Sequence, residues 1–412
     1  MSRFWQRGWS DDRRVQRAAL VVGGILVLVF LIQTIGKAYR PQGNDFTTYL
    51  LSARALAAGQ SPYETVAVFP YIYPMFPAMA FIPLAFAPYW LANVVWYAGN
   101  VGALVWSMRL ALGLRGRIGA TVRERRLLAP LILLALLFLT PIQNHLLNGQ
   151  INFVVLLLCL LFARAAREGR VMPAALFLAT AIATKLVPLI FAPYLLLRRR
   201  FGVLAAALAG ATLLSFAPVV FLGQSIVPIY RDYLSRLAAH NERGALNAET
   251  VYYSLDGAVR EVVATIASGP SVALRLAAAA AVMLPLLIID LRLRRGGTQA
   301  DRWASALYLV AILLIAPVSE THHLVFLFPA IVLLAIPLLL APREARAGEW
   351  VIAVGIYGLL LAARWDPAGP WAFAGIVALY GTMLARAHRL PLHEEITEAE
   401  PSVDSPVAPA RA

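Results

Sequence analysis

The chain has 412 residues, 60% hydrophobic and only 14% charged, where an ordinary soluble domain is about half apolar and about a quarter charged. That balance excludes a soluble enzyme, a disordered chain and a fibrous one. The formal charge is +14, and its arginines fall between apolar blocks, so they read as cytoplasmic loops of a membrane protein and call for no nucleic-acid partner. Cys159 is the only cysteine and lies inside an apolar block, leaving no disulfide framework and no thiolate metal site. Of the 36 basic residues only Lys37 and Lys185 are lysines. With so much Ala and Leu, this composition suggests a GC-rich bacterial genome.

Residues 1–17 form a basic cytoplasmic N-terminus. The block from Ala18 to Gly36 is long, and no small-x-small site follows it, so it reads as a retained first helix and not a cleaved signal. In the loop 37–88, Phe46, Tyr49, Leu50, Ala53 and Ala57 recur at helical spacing. Asn44-Asp45 opens that segment and Gly59 closes it, which predicts an amphipathic helix lying on the outer membrane surface. The run Tyr71 to Pro88 reads as outer-face juxtamembrane structure broken by Pro74, Pro77, Pro83 and Pro88. Counting it as a span would turn Arg115, Arg117, Arg123, Arg125 and Arg126 outward.

Spans are expected near 18–36, 89–111, 127–142, 149–163, 171–184, 186–197, 201–222, 271–291, 303–318, 323–340, 350–363 and 370–386. The fold class is therefore all-α, a polytopic membrane helix bundle of about twelve spans with an outer-face juxtamembrane helix region. This arrangement puts 26 of the 36 basic residues inside, tail included. One helix over 171–197 would turn Arg198, Arg199 and Arg200 outward, so two short helices are expected to meet at Thr184-Lys185. The membrane domain covers 18–386, with a second outer loop at 223–270. The Pro/Ala-rich acidic tail 387–412 reads as disordered.

The remaining polar residues collect on the predicted outer face: Asn44-Asp45, Asn144-His145, Asn148 to Asn152, Lys185, and Glu320 to His323. Polar groups inside an apolar protein are costly and mark function. No Gly-rich phosphate loop is present, so the natural donor for outer-face chemistry is lipid-linked. Each candidate has a bland alternative. Asp45 either caps the helix after it or acts on substrate. Asn148, Gln150 and Asn152 either glue helices together or bind substrate. Lys185 either snorkels to the interface or interrupts its apolar segment to build a site. His322-His323 reads as a core pair with Glu320 as partner, because adjacent helical residues diverge and no ligand set matches zinc.

The ordered set Asn44-Asp45-Phe46, Tyr49, Ala53-Arg54-Ala55, Gly59, Pro62-Tyr63, Tyr71, Tyr73-Pro74 and Phe76 resembles glycosyltransferase family 87, membrane enzymes of the C-type superfamily. The resemblance continues through Asn148-Gly149-Gln150-Ile151-Asn152, Lys185-Leu186-Val187-Pro188 with Tyr194, and Pro317, Ser319, His322-His323 and Pro329. The family is typified by actinobacterial polyprenol-phosphate-mannose-dependent mannosyltransferases. The chain departs from it at Met75, where a second proline is frequent, at Glu320, where tryptophan is common, and at Asn247-Ala248-Glu249-Thr250, where an Asn-Gln-Ser element is expected.

The resemblance implies inverting sugar transfer on the outer side of a bacterial cytoplasmic membrane, with no metal and no cofactor. The partners implied are a polyprenyl-phosphate-sugar donor, a lipid or glycan acceptor and the bilayer. Asp45 takes the position of the general base. Lys185, His322 and His323 are the candidates for the leaving phosphate, with Glu320 beside them, and Asn148, Gln150 and Asn152 for sugar hydroxyls. Mannose is the first expectation and arabinofuranose the runner-up. The rival class is a lipid-linked sugar flippase or small-solute transporter, which calls for mid-membrane ionisable groups and an inverted repeat.

Overall fold

The computed structural model describes residues 12–113, 122–244, 272–316, 319–342, 344–362 and 370–390. Arg115, Arg117, Pro317, the late loop beyond residue 244 and the tail from residue 391 lie outside the described residues. Every regular element among the described residues is helical. The first is α1 (Arg13–Ala38), whose apolar surface is largely exposed at Leu20, Ile25, Leu28 and Ile32. Next come α2 (Asp45–Ala57), α3 (Met75–Ala85) and α4 (Tyr89–Ala111).

The expected span 127–142 is not one straight helix. The chain forms α5 (Val122–Leu137) and α6 (Leu139–Asn148), with the segments on either side of Phe138 bent by 75°. Pro141 sits in the first turn of α6 and brings no N–H to continue the α5 ladder. The span expected from 149 begins later, as α7 (Asn152–Arg167), because Gly149 adopts a left-handed φ of 62° that ends α6.

The expected break at Thr184-Lys185 is present. α8 (Val171–Thr184) stops, Lys185 is extended at φ −153° and ψ 134°, and a 3₁₀ turn (Val187–Ile190) leads into α9 (Phe191–Leu197). Then follow α10 (Phe201–Phe216), α11 (Ile226–Gly244), α12 (Val272–Leu293), α13 (Thr298–Ile315), a 3₁₀ segment (Thr321–Leu327), α14 (Phe328–Leu340), α15 (Ala347–Ala362) and α16 (Trp371–His388). α13 is the buried post of the bundle: Trp303 through Leu314 are all shielded. Helix α2 is not open on a surface, since Phe46, Thr48, Tyr49, Leu50, Ser52, Ala53 and Leu56 are buried under neighbours that include α3.

Among the described residues, four helical stretches are long and apolar enough to cross a membrane: Arg13–Ala38, Phe201–Leu222, Leu276–Leu293 and Thr321–Leu340. The bent pair around Phe138 makes a fifth. The helices Val171–Thr184, Val187–Leu197 and Ala347–Ala362 are apolar but shorter. The fold is therefore an all-helical bundle with several apolar candidate spans.

Candidate active site

The site grows from a clamp between two segments far apart in sequence. Asn44, not Asp45, caps α2: its Oδ1 accepts the Thr47 N–H at 3.1 Å, while its own N–H bonds Thr47 Oγ1 at 3.2 Å. The Asn44 amide also donates to the Leu147 carbonyl at 3.2 Å. Trp96 Nε1 donates to the Gly149 carbonyl at 2.7 Å, and its ring stacks on Phe46 with centroids 5.7 Å apart. A Cβ on Gly149 would lie 2.7 Å from the Phe46 Cβ, so only glycine lets the α6–α7 turn lie against α2.

That clamp delivers Gln150 to Asp45. Gln150 Nε2 donates to Asp45 Oδ2 at 2.6 Å, and Gln150 Oε1 accepts Tyr73 Oη at 3.0 Å. With the amide held at both ends, one carboxylate oxygen is fixed in place. Freed from capping, Asp45 is half-buried in the first turn of α2. Burial, and after it the Glu320 charge, lift its carboxyl to about 6, against the opposing pull of Lys37, the Gln150 bond and Lys185. A carboxylate in that range is tuned to accept a proton near neutral pH.

A second cluster faces it. Lys185 Nζ donates to Asn152 Oδ1 at 2.9 Å, lies 2.8 Å from His323 Nε2 and sits 5.7 Å from the Tyr73 ring centroid. Lys185 therefore turns into the protein and does not snorkel outward. Asn152 is fully buried and its amide nitrogen reaches the His322 carbonyl at 3.4 Å. Glu320 organises the histidines: its N–H donates to His323 Nδ1 at 2.9 Å, and its Oε2 lies 3.4 Å from His322 Nδ1. The two imidazoles pack with centroids 4.2 Å apart.

Asn148 stands at the edge of the same group. Its side-chain amide donates to Asn144 Oδ1 at 2.9 Å, and its Oδ1 accepts Lys37 Nζ. All eight residues singled out in the sequence thus belong to one neighbourhood, linked directly or through Lys37 and Tyr73. Asn148, Gln150 and Asn152 do bind across helices, as the bland reading expects, and their partners are the ionic groups of the site.

Sequence reasoning gave no site role to Lys37 or to Tyr73, which it named only within the family pattern, and missed the capping role of Asn44. A signal for Lys37 was present: the chain has two lysines among 36 basic residues, and both lie here. His145 has a supporting role. It is fully buried, and its Nε2 accepts the Phe153 N–H at 3.1 Å, which caps α7 from the preceding helix.

Paired carboxylates and ammonium groups, held among buried amides within an apolar helical bundle, suit an enzyme that acts on a polar group. The family model of glycosyltransferase family 87 matches residues 71–318, and the chain belongs to that family. A polyprenol-phosphate-mannose-dependent alpha-(1-2)-phosphatidylinositol mannoside mannosyltransferase from Mycolicibacterium smegmatis is 28% identical, covering 86% of this chain and 87% of its own length. A pentamannoside mannosyltransferase of the same donor class from Mycobacterium tuberculosis is 29% identical, with 92% and 88% covered. A mannoside mannosyltransferase from Mycobacterium tuberculosis is 30% identical, with 80% and 77% covered. No solved structure matches the chain.

Proposed function

We propose that the protein transfers a sugar, mannose first among the choices, from a polyprenyl-phosphate donor to a lipid or glycan acceptor, with inversion and Asp45 as general base. Transfer takes place at the outer face of the cytoplasmic membrane. The observation that carries the reading is Asp45 itself. Its capping duty is taken by Asn44, one oxygen is fixed by Gln150, and two lysines and a second carboxylate shape its field. The relatives named above supply the donor class, and the phosphatidylinositol mannosides in their names suggest a lipid acceptor.

In this mechanism the acceptor hydroxyl oxygen bonds to the anomeric carbon while Asp45 takes its proton. The bond from that carbon to the phosphate oxygen breaks, and its electron pair leaves with polyprenyl phosphate. Lys185, held by Asn152 and His323, meets the new charge. Asp45→Asn tests this directly. Asn44 still caps the helix, so the variant keeps its fold, and transfer from a labelled donor falls by about 10²–10⁴-fold. Retained transfer by the folded variant would overturn the assignment.

The outward orientation and the twelve crossings belong to the same proposal. Arg167, Arg198 to Arg200 and Arg294-Arg295, from three of the stretches expected inside, line one pocket, which supports placing them on the same side of the membrane. Cys159, the single cysteine, is fully buried and gives a silent background. Cysteine at Gln60 is expected to react with an impermeant maleimide in intact cells, and cysteine at Arg200 is not. The reverse pattern would invert the topology.

A further inference from the structure

Three elements run from the sugar-transfer site to the opposite end of the bundle. α7 starts at Asn152 and ends at Arg167, and its 16 residues span about 24 Å. The chain from Lys185 through α9 ends at Arg198, and α13 runs back from Thr298 towards Glu320. Where their far ends meet there is a pocket of about 550 Å³ whose lining includes six arginines, Arg167, Arg198, Arg199, Arg200, Arg294 and Arg295, and one acidic residue, Asp301. Its size is that of a small-molecule site.

One of the six is structural. Arg198 bonds Asp290 Oδ1 at 2.5 Å and Asp301 Oδ1 at 3.3 Å and lies 3.8 Å from the Tyr194 ring centroid, while Tyr308 Oη donates to Asp290 Oδ2 at 3.0 Å. Those contacts occupy Asp290, which is fully buried. Asp301 also feels Arg167 and Arg200. Among the described residues, no carboxylate forms an ion pair with Arg167, Arg199, Arg200, Arg294 or Arg295. The pocket therefore keeps a strong surplus of positive charge.

The backbone adds a second, independent sign. Four helix ends close with the same pair of bonds, the left-handed residue and its successor donating back into the last turn. At three of them the left-handed residue is Gly59, Gly149 or Gly169. At the fourth it is Arg199, with φ 54°, the only non-glycine with positive φ among the described residues. Glycine takes that conformation freely, and a β-carbon there costs stability. Such strain persists at functional positions. The positive-inside rule accounts for the number of arginines but not for their concave arrangement or for this residue.

We propose that the pocket binds the phosphate groups of an anionic phospholipid. Guanidinium forks match phosphate oxygens bidentately, and basic pockets between helices on the cytoplasmic side hold anionic headgroups. Lipid is favoured over free phosphate because exposed apolar residues border the arginines: Leu196 and Phe201 flank the Arg198–Arg200 turn, and Ile288 and Leu291 precede Arg294. Those side chains offer acyl chains a surface.

The test uses the full chain purified in neutral detergent, with thermal melting followed against added cardiolipin, phosphatidylcholine or inorganic phosphate. Cardiolipin is expected to raise the melting temperature saturably, and the other two are not. Arg199→Gly relieves the backbone, so it melts no lower than wild type without lipid, yet it needs about tenfold more cardiolipin, the order of one lost charge-assisted contact. R294Q/R295Q is expected to weaken binding further. R13Q/R14Q/R17Q, which removes equal or greater charge at the start of α1, is expected to leave the titration unchanged. Identical curves for wild type and Arg199→Gly, or an equal loss in the α1 variant, would overturn the pocket. Saturation by inorganic phosphate alone would overturn the lipid as its ligand.

Discussion

The two ends of the bundle handle charge differently. At the Asp45 end the chain places its only two lysines near Asp45 and Glu320, with neutral amides from Gln150, Asn148 and Asn152 among them. At the other end its basic groups are all arginines, and the one most deeply held, Arg198, is locked by two aspartates and an aromatic face. Lysine is a compact charge that gives up its proton when its surroundings demand it. Arginine stays charged and holds a fixed fork. In the proposed mechanism protonation and charge change during a turnover at the first end, whereas the second end keeps a constant potential. The contrast teaches that residue type, and not charge count, separates the two ends.

If that contrast holds, Arg198→Met strikes folding. Removing one partner of a buried pair leaves Asp290 uncompensated and costs about 3–5 kcal/mol, which is read as a lower melting temperature with turnover per folded molecule intact. Lys185→Met strikes chemistry instead. Transfer falls by about 10²-fold or more, as for the loss of a charge-stabilising donor, with little change in melting. Normal turnover in the Met variant would remove Lys185 from the mechanism.

The smallest effect sharpens the picture of Asp45. With its carboxyl at about 6, transfer declines as pH falls through that value and levels off above it. Stability moves the other way. A folded-state pKa raised above the ordinary 3.8 contributes stability at low pH that is lost as pH rises through about 6. Asp45→Asn is therefore expected to melt slightly above wild type at pH 8, the two converging below the ordinary carboxylate range. A wild-type advantage at pH 8 would mean that the ionised carboxylate stabilises the fold.

Much of the site was legible in the sequence because polar residues are scarce in this chain. Scarcity made Asp45, the Asn148–Asn152 stretch, Lys185 and Glu320 to His323 stand out, and the structure brings them together. The Thr184-Lys185 break was legible for a different reason, since only a break keeps Arg198 to Arg200 at the basic end. The bend at Phe138 was not legible: hydropathy runs unbroken across it, and Pro141 fits a straight helix start as well as a turn. Asn44 and Asp45 both favour helix starts, so composition did not separate cap from base, and the hydrogen bonds did. Tyr73 stood in the family pattern, but its contact with Gln150 was hidden, because a tyrosine in an aromatic run carries no sign of what its hydroxyl meets. The burial of α2 depends on α3 and α4 closing over it, a matter of tertiary packing that no periodicity records.

The glycine at 149 carries a last consequence. Asp45 and Gln150 lie 105 residues apart in the chain, yet their spacing depends on a hydrogen atom where every other amino acid has carbon. A methyl group at 149 meets the Phe46 β-carbon at 2.7 Å, and Phe46 directly follows Asp45. The wedge would part the base from the amide that aims it while leaving both residues in the sequence. Catalytic competence at this site can thus be lost through a neighbour that takes no part in any reaction.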